Sequence, residues 1–215
     1  MSVKRVVLIR PGETDWNKIG RWQGIVAVPL NMHGIKQAQR LAKFVRNIGL
    51  DVIYSSDVRR ARDTAAVLSE YANVPIHYDA RLRERHLGLW QGLSMNEMRD
   101  WYKKQYDELM SDPVNTPAPE GESRAQVAER VTASFNDILK TEYETIGIIT
   151  HTTAIRVLLS QLIPDSNPFE MQFRNISVTT IASDDNKTWS LTQLDDVTHL
   201  DGMVSHAFTD RIGLG

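Results

Sequence analysis

The feature that most constrains this chain is an alternation of short β-branched apolar runs with amphipathic helical stretches along its 215 residues. Val6-Val7-Leu8-Ile9 is the first run and reads as a buried strand. Further strands are expected at Asp51–Ser55, Pro75–Tyr78, Thr145–Thr150, Ile176–Ala182 and Trp189–Leu194. Helices are expected from Asn31 to Ile48, Val58 to Tyr71, Ser94 to Met110, Ser123 to Tyr143 and Thr152 to Leu162. Asn31 reads as an N-cap, Gly49 as a stop, and Ser123 with Gln126 as a capping box. The Ser94–Met110 stretch is polar and aromatic, so residues 94–122 read as a helical lid or insertion that ends in a proline-rich loop. Strand–helix alternation implies an α/β fold with a mostly parallel central sheet. No linker, repeat or low-complexity tract breaks it, and one domain over residues 1–215 is the expectation.

Composition then removes whole classes of function. Lys plus Arg number 25 against 27 Asp plus Glu, a net charge of −2, which argues against a nucleic-acid partner bound by bulk basicity. With no cysteine, disulfides, thiolate nucleophiles and Cys-based metal centres are excluded. Covalent chemistry falls to other side chains, the six histidines among them. No apolar run approaches the ~18 residues of a membrane span, and Val6–Ile9 is too short for a signal-peptide core. The expectation is a cytoplasmic protein with no membrane partner.

In parallel sheets, ligands bind outside the carboxyl ends of the strands. Polar clusters stand at three such ends. Arg10-Pro11-Gly12-Glu13-Thr14 follows the first strand and continues through Asn17 and Gln23. Ser55-Ser56-Asp57-Val58-Arg59-Arg60 follows the second, and Thr150-His151-Thr152-Thr153 the Thr145–Thr150 strand. Arg81, Arg83, Glu84, Arg85 and His86 form a charged loop able to fold over them. Arginine forks, helix-start amides and a histidine suit a phosphate dianion, and a carboxylate such as Glu84 suits proton donation to a leaving alcohol. Each has a plainer reading: a lone arginine as a salt-bridge partner, His151 as a structural histidine, Arg81, Arg83 and Arg85 as solvated charges. Trp101, Tyr102 and Tyr106 read as packing for the lid helix. His33, His77, His199 and His206 lack metal-ligand spacing, although His199 and His206 suit a subunit contact in a homodimer.

Val6 to Asn17 resembles the opening of the histidine phosphatase superfamily, the phosphoglycerate-mutase-like group, whose signature there is Arg-His-Gly-Glu-Thr with an Asn three residues on. The resemblance continues in Gly20-Arg21-Trp22-Gln23-Gly24, in Tyr54 to Ala65, in Leu82 to Gly92, in Pro119-Glu120-Gly121-Glu122-Ser123 and in Thr150-His151. It implies a three-layer α/β/α fold. It also implies a phosphate ringed by Arg10, Arg60 and His151 with Asn17, Gln23 and Thr152 nearby, and Glu84 as proton donor. Phosphoryl transfer to a histidine, with no metal and no cofactor, is the implied reaction. The implied ligand is a small phosphorylated molecule or inorganic phosphate.

Where the family has its nucleophilic histidine, this chain has Pro11. Proline has no lone pair to accept a phosphoryl group and no N–H, although it suits the first turn of a helix after a strand. Ala27 stands where many members have Asp, and Thr152 where Gly is usual; Leu87 and the lack of a long insertion speak against a phosphoglycerate mutase. Three readings stay open. The chain is a phosphate-ligand-binding protein with lost or severely impaired phosphohistidine chemistry; or a phosphomonoesterase that uses water, His151 or His86; or an active phosphatase in which Pro11 is an engineered or erroneous replacement of His.

Overall fold

The computed structural model describes residues 3–205 and holds one six-stranded sheet. In chain order the elements are β1 (Arg5–Ile9), α1 (Asp15–Lys18), α2 (Met32–Ile48), β2 (Val52–Ser55), α3 (Arg59–Ala72) and β3 (Ile76–Tyr78). There follow α4 (Met95–Trp101), α5 (Lys103–Ser111), α6 (Arg124–Ile138), β4 (Thr145–Ile149), α7 (Thr152–Leu162), β5 (Val178–Ala182) and β6 (Ser190–Asp196). The sheet order is β3-β2-β4-β1-β5-β6. β3, β2, β4 and β1 run parallel; β5 lies antiparallel to β1 and β6 antiparallel to β5.

Successive side chains of a strand point to opposite faces, so a strand buried on both sides must be apolar throughout. In β1, Val6 and Leu8 enter one core with α6 and α7, while Val7 and Ile9 enter the other with α2 and α3. All four are fully buried. The layers are therefore helix, sheet, helix. A third, smaller core holds Trp22, Leu87, Trp90, Met98, Leu109 and Ala118, beneath α4 and α5.

Several boundaries differ from the sequence reading for local reasons. The expected 94–110 helix breaks at Tyr102 (φ −125°, ψ 39°), and Tyr102 and Tyr106 then both reach Trp90, at 6.3 and 6.2 Å between ring centroids. Trp101, expected to pack, is 65% exposed. α6 stops at Ile138 instead of Tyr143, where the Thr141 hydroxyl donates to the Ile138 carbonyl at 2.8 Å. Asp51 then accepts from the amides of Glu144 and Thr145 and leads the chain into β4. Pro11 is not in a helical first turn. Residues 10–14 are irregular, and the helix starts only at Asp15, capped by Thr14 and Asn17 in a capping box. His206 lies outside the described residues, and no helix among them is long and apolar enough to cross a membrane.

Candidate functional site

The segment after β1 is fixed from both sides. On one side, Gly12 and Gly34 allow the chain to lie directly on α2: a Cβ on Gly34 would stand 2.1 Å from the Glu13 carbonyl oxygen. On the other, the turn before β5 holds it. The Asn175 side-chain amide donates to the Pro11 carbonyl at 2.9 Å, and the Ile176 amide donates to the Arg10 carbonyl at 3.0 Å. Ile176 has φ +63°, a left-handed conformation that a β-branched residue adopts at a cost of about 1–3 kcal/mol. The contacts to Arg10 and Pro11 are what hold it there.

Arg60, in the first turn of α3, is 5% exposed and anchored by the protein itself. Its guanidinium donates to the Gly24 carbonyl at 2.7 Å, to the Val26 carbonyl at 3.2 Å and to His151 Nδ1 at 3.1 Å. Arginine only donates, so His151 Nδ1 accepts, and its Nε2–H faces Ser56 Oγ at 2.9 Å. Burial, followed by the charges of Arg60, Arg10 and Arg130, holds His151 well below the usual histidine range, which keeps the ring neutral. Both ring nitrogens are thus engaged. Arg10 donates to the Phe173 carbonyl at 2.5 Å.

Glu84 is held by backbone amides: Oε1 accepts from Arg85 N at 2.7 Å and Oε2 from Thr153 N, in the first turn of α7, at 3.2 Å. Its loop hangs on Arg130 of α6. That guanidinium donates to the carbonyls of Arg81, Arg83 and Glu84 and to both oxygens of Glu122.

The structure brings all eight sequence-predicted site residues to one cavity: Arg10, Pro11, Asn17, Gln23, Arg60, Glu84, His151 and Thr152. His86 is not among the lining residues, and none of 95–111 is; α4 and α5 pack behind Trp22 and Leu87, which do line it. Sequence reasoning missed Arg124, Arg156, Phe169 and Asn175, which also line it, and misread Arg85. Arg85 is buried at 2% exposure, not solvated. Arg81 pairs with Asp79 and Asp137, and Arg83 with Asp57 at 2.5 Å. The lining carries six arginines (10, 21, 60, 85, 124 and 156) against one carboxylate, Glu84, in a chain whose net charge is −2. Outside the cavity, His199 stacks on Phe44 at 5.3 Å.

A mostly parallel sheet whose strand ends gather arginines around a neutral histidine and a tethered carboxylate defines an α/β protein with a cationic pocket. The sequence profile of the histidine phosphatase superfamily (branch 1) matches residues 6–197, and the chain belongs to that superfamily. A metal-independent phosphoserine phosphatase of Arabidopsis thaliana is 33% identical over 206 residues, 93% of this chain and 84% of its own. Phosphoglycerate mutase-like protein 4 of the same plant is 33% identical over 200 residues, 91% and 86%. Among solved structures, a mycobacterial glucosyl-3-phosphoglycerate phosphatase with bound VO3 superimposes with a TM-score of 0.81 at 27% identity, covering 90% of this chain and 99% of that one. The same mycobacterial protein has been solved with inorganic phosphate.

Proposed function

We propose that this chain binds a phosphate monoester at the cavity but carries out phosphohistidine chemistry poorly or not at all, because Pro11 occupies the nucleophile position. One observation carries the reading: Pro11 lines the same cavity as Arg10, Arg60, Glu84 and His151, and is tied in place through its carbonyl. Arg10 and Arg60 neutralise the phosphate, Asn17, Gln23 and Thr152 border it, and Glu84 stands where a leaving oxygen needs a proton. No cofactor enters this reading. His151 is a poor substitute nucleophile, since its acceptor nitrogen takes the Arg60 guanidinium and its other nitrogen faces Ser56. Removing the nucleophile from a hydrolase costs on the order of 10⁶ in turnover, while the remaining site keeps about 10³–10⁴ over water.

Thermal unfolding with inorganic phosphate or vanadate tests the binding. Ligand at about 100 times its dissociation constant adds about 2.7 kcal/mol, and no stabilisation at millimolar anion sinks the site assignment. An aryl phosphate assay tests the chemistry. The native chain is expected to turn over far below ~1 s⁻¹. Pro11→His is expected to raise kcat at least ~100-fold. Native turnover at ordinary enzymatic rates overturns the impaired-chemistry reading.

A further inference from the structure

After β6 the chain makes a short 3-10 turn, Thr198–Leu200, and runs on along α2 as a strap whose last described residue is Ser205. Leu200 is fully buried in the core shared with α2 and α3, and Val197 and Met203 pack against that core. Between these anchors stands His199. Its ring lies on Phe44 of α2, 5.3 Å between centroids and 27° from parallel. Both ring nitrogens are shielded from solvent, and neither has a hydrogen bond of normal geometry among the described residues. The polar group the ring faces is the backbone of Ile176, the left-handed residue before β5. Such a site tolerates a neutral imidazole. An imidazolium there would bring a charge and two unbonded donors into an apolar stack.

The charged groups around the ring do not supply a counter-ion. Asp196, at the end of β6, favours the cation through space, but it accepts from the Thr198 amide at 2.8 Å and from the Gln193 side chain. Burial outweighs it and pushes His199 below the usual histidine range. Asp195 is paired with Arg174 of the turn before β5 at 2.6 Å, and Asp201 of the strap with Arg40 of α2 at 3.6 Å. Also on α2, His33 Nε2 stands 3.1 Å from the Met203 carbonyl oxygen, while Lys36, Lys43 and Arg46 are exposed to solvent.

The strap is bonded to the segment that follows β1. Gln37, fully buried, donates to the Met203 carbonyl at 3.0 Å and to Ser205 Oγ at 2.9 Å, and its Oε1 accepts from the Glu13 amide at 3.1 Å. Lifting the strap takes both of these acceptors from the Gln37 amide group, whose oxygen holds the backbone two residues past Pro11.

We propose that the strap of residues 197–205 is an acid-released latch, closed on α2 while the His199 ring is neutral and let go when that ring takes a proton. The latch stands whether or not the cavity binds phosphate. A released ring titrates near pH 6.5, so acid favours the open strap below that value. For a ring that stays neutral while closed, opening rises by up to about 30-fold between pH 7.5 and pH 5.0.

Amide hydrogen exchange of the full chain, corrected for the intrinsic effect of pH on exchange, reads the latch. The amides of Leu200 and Met203, bonded to the Val197 and Leu200 carbonyls, report the strap. Their protection is expected to fall about tenfold or more from pH 7.5 to pH 5.0 in the native chain. His199→Phe keeps a ring on Phe44 but cannot take a proton, and its fall should be about threefold or less. His33→Gln, which removes the other histidine beside the strap, should keep the native fall. Where His199→Phe folds poorly, the ring-proton shifts of His199 in the native chain serve instead, and the folded ring should stay neutral to below pH 5.5. A native fall under about threefold overturns the latch. So does an equal fall in His199→Phe, a fall lost in His33→Gln, or a His199 ring that titrates near pH 6.5 with the strap in place.

Discussion

The two cationic walls of the cavity hold their charge in opposite ways. At the sheet-end wall Arg60 is bonded to the Gly24 and Val26 carbonyls and to His151, so its guanidinium is part of the protein's own hydrogen-bond framework. At the cap wall Arg85 is as deeply buried, yet its Nε and Nη1 find no partner among the described residues, and burial works against its charge. Equal burial therefore does not mean equal service to the fold. The first wall stabilises the protein and presents its charge as a by-product. The second holds charge at the fold's expense.

Substitution at Arg60 exposes the contrast most strongly. Arg60→Met leaves the Gly24 carbonyl and a histidine nitrogen buried without donors and takes from the Val26 carbonyl one of its two, a loss of about 3 kcal/mol in urea unfolding. It also abolishes stabilisation by phosphate. A loss below about 1 kcal/mol would erase the difference between the walls. Next in size is Gly34→Ala. Its Cβ would meet the Glu13 carbonyl at 2.1 Å and the Glu13 nitrogen at 2.7 Å, so backbone must move. About 2 kcal/mol of stability and a weaker phosphate affinity are expected, because the displaced segment carries Arg10 and Pro11.

The sheet-end wall was legible in the sequence and the cap wall was not, for a physical reason. Arg10, Arg60, Glu84 and His151 directly follow strands or open helices, or sit in one charged loop, so local pattern places them. Arg85 sits in that same loop, but it is buried at 2% exposure by the tertiary fold, and no local periodicity encodes that burial. Arg156 lies on α7 in a helical pattern that reads as ordinary surface charge, yet it faces the cavity because α7 is buried on nearly every side. Asn175 acts across 164 residues, through Pro11. Its left-handed neighbour Ile176 gave no composition signal, since isoleucine is the wrong residue for that conformation. Helix ends followed the same rule. Asn31, Gly49 and Ser123 cap where local chemistry says they should, while the break at Tyr102 answers to Trp90.

Acid separates the walls by a smaller margin. His151 is held well below its usual range by burial and by Arg60, Arg10 and Arg130, so the folded protein leaves it neutral while the unfolded chain protonates it near pH 6.5. The unfolded state then binds more protons below that pH. The contribution is complete above about pH 6.5 and is lost as pH falls, at up to about 1.4 kcal/mol per pH unit. His199, also lowered by burial, adds to the total slope, so the comparison is with His151→Gln. Urea unfolding at pH 5.5 and 7.5 should show a smaller pH loss in the variant; equal slopes would mean the ring does not resist protonation.

The smallest effect is the most telling, because its sign differs from that of Arg60. Arg85→Met keeps the length of the side chain and removes a buried charge with two unspent donors. Glu84 and Glu122 lose some favourable field, but neither loses a hydrogen bond to the Arg85 side chain. Replacing such a charge by an apolar group of similar shape is neutral or stabilising, here by up to about 1 kcal/mol. Urea unfolding should therefore place Arg85→Met at or above the native chain. A destabilisation of about 2 kcal/mol or more would mean that Arg85 is bonded into the fold as Arg60 is, and the two walls would then be one.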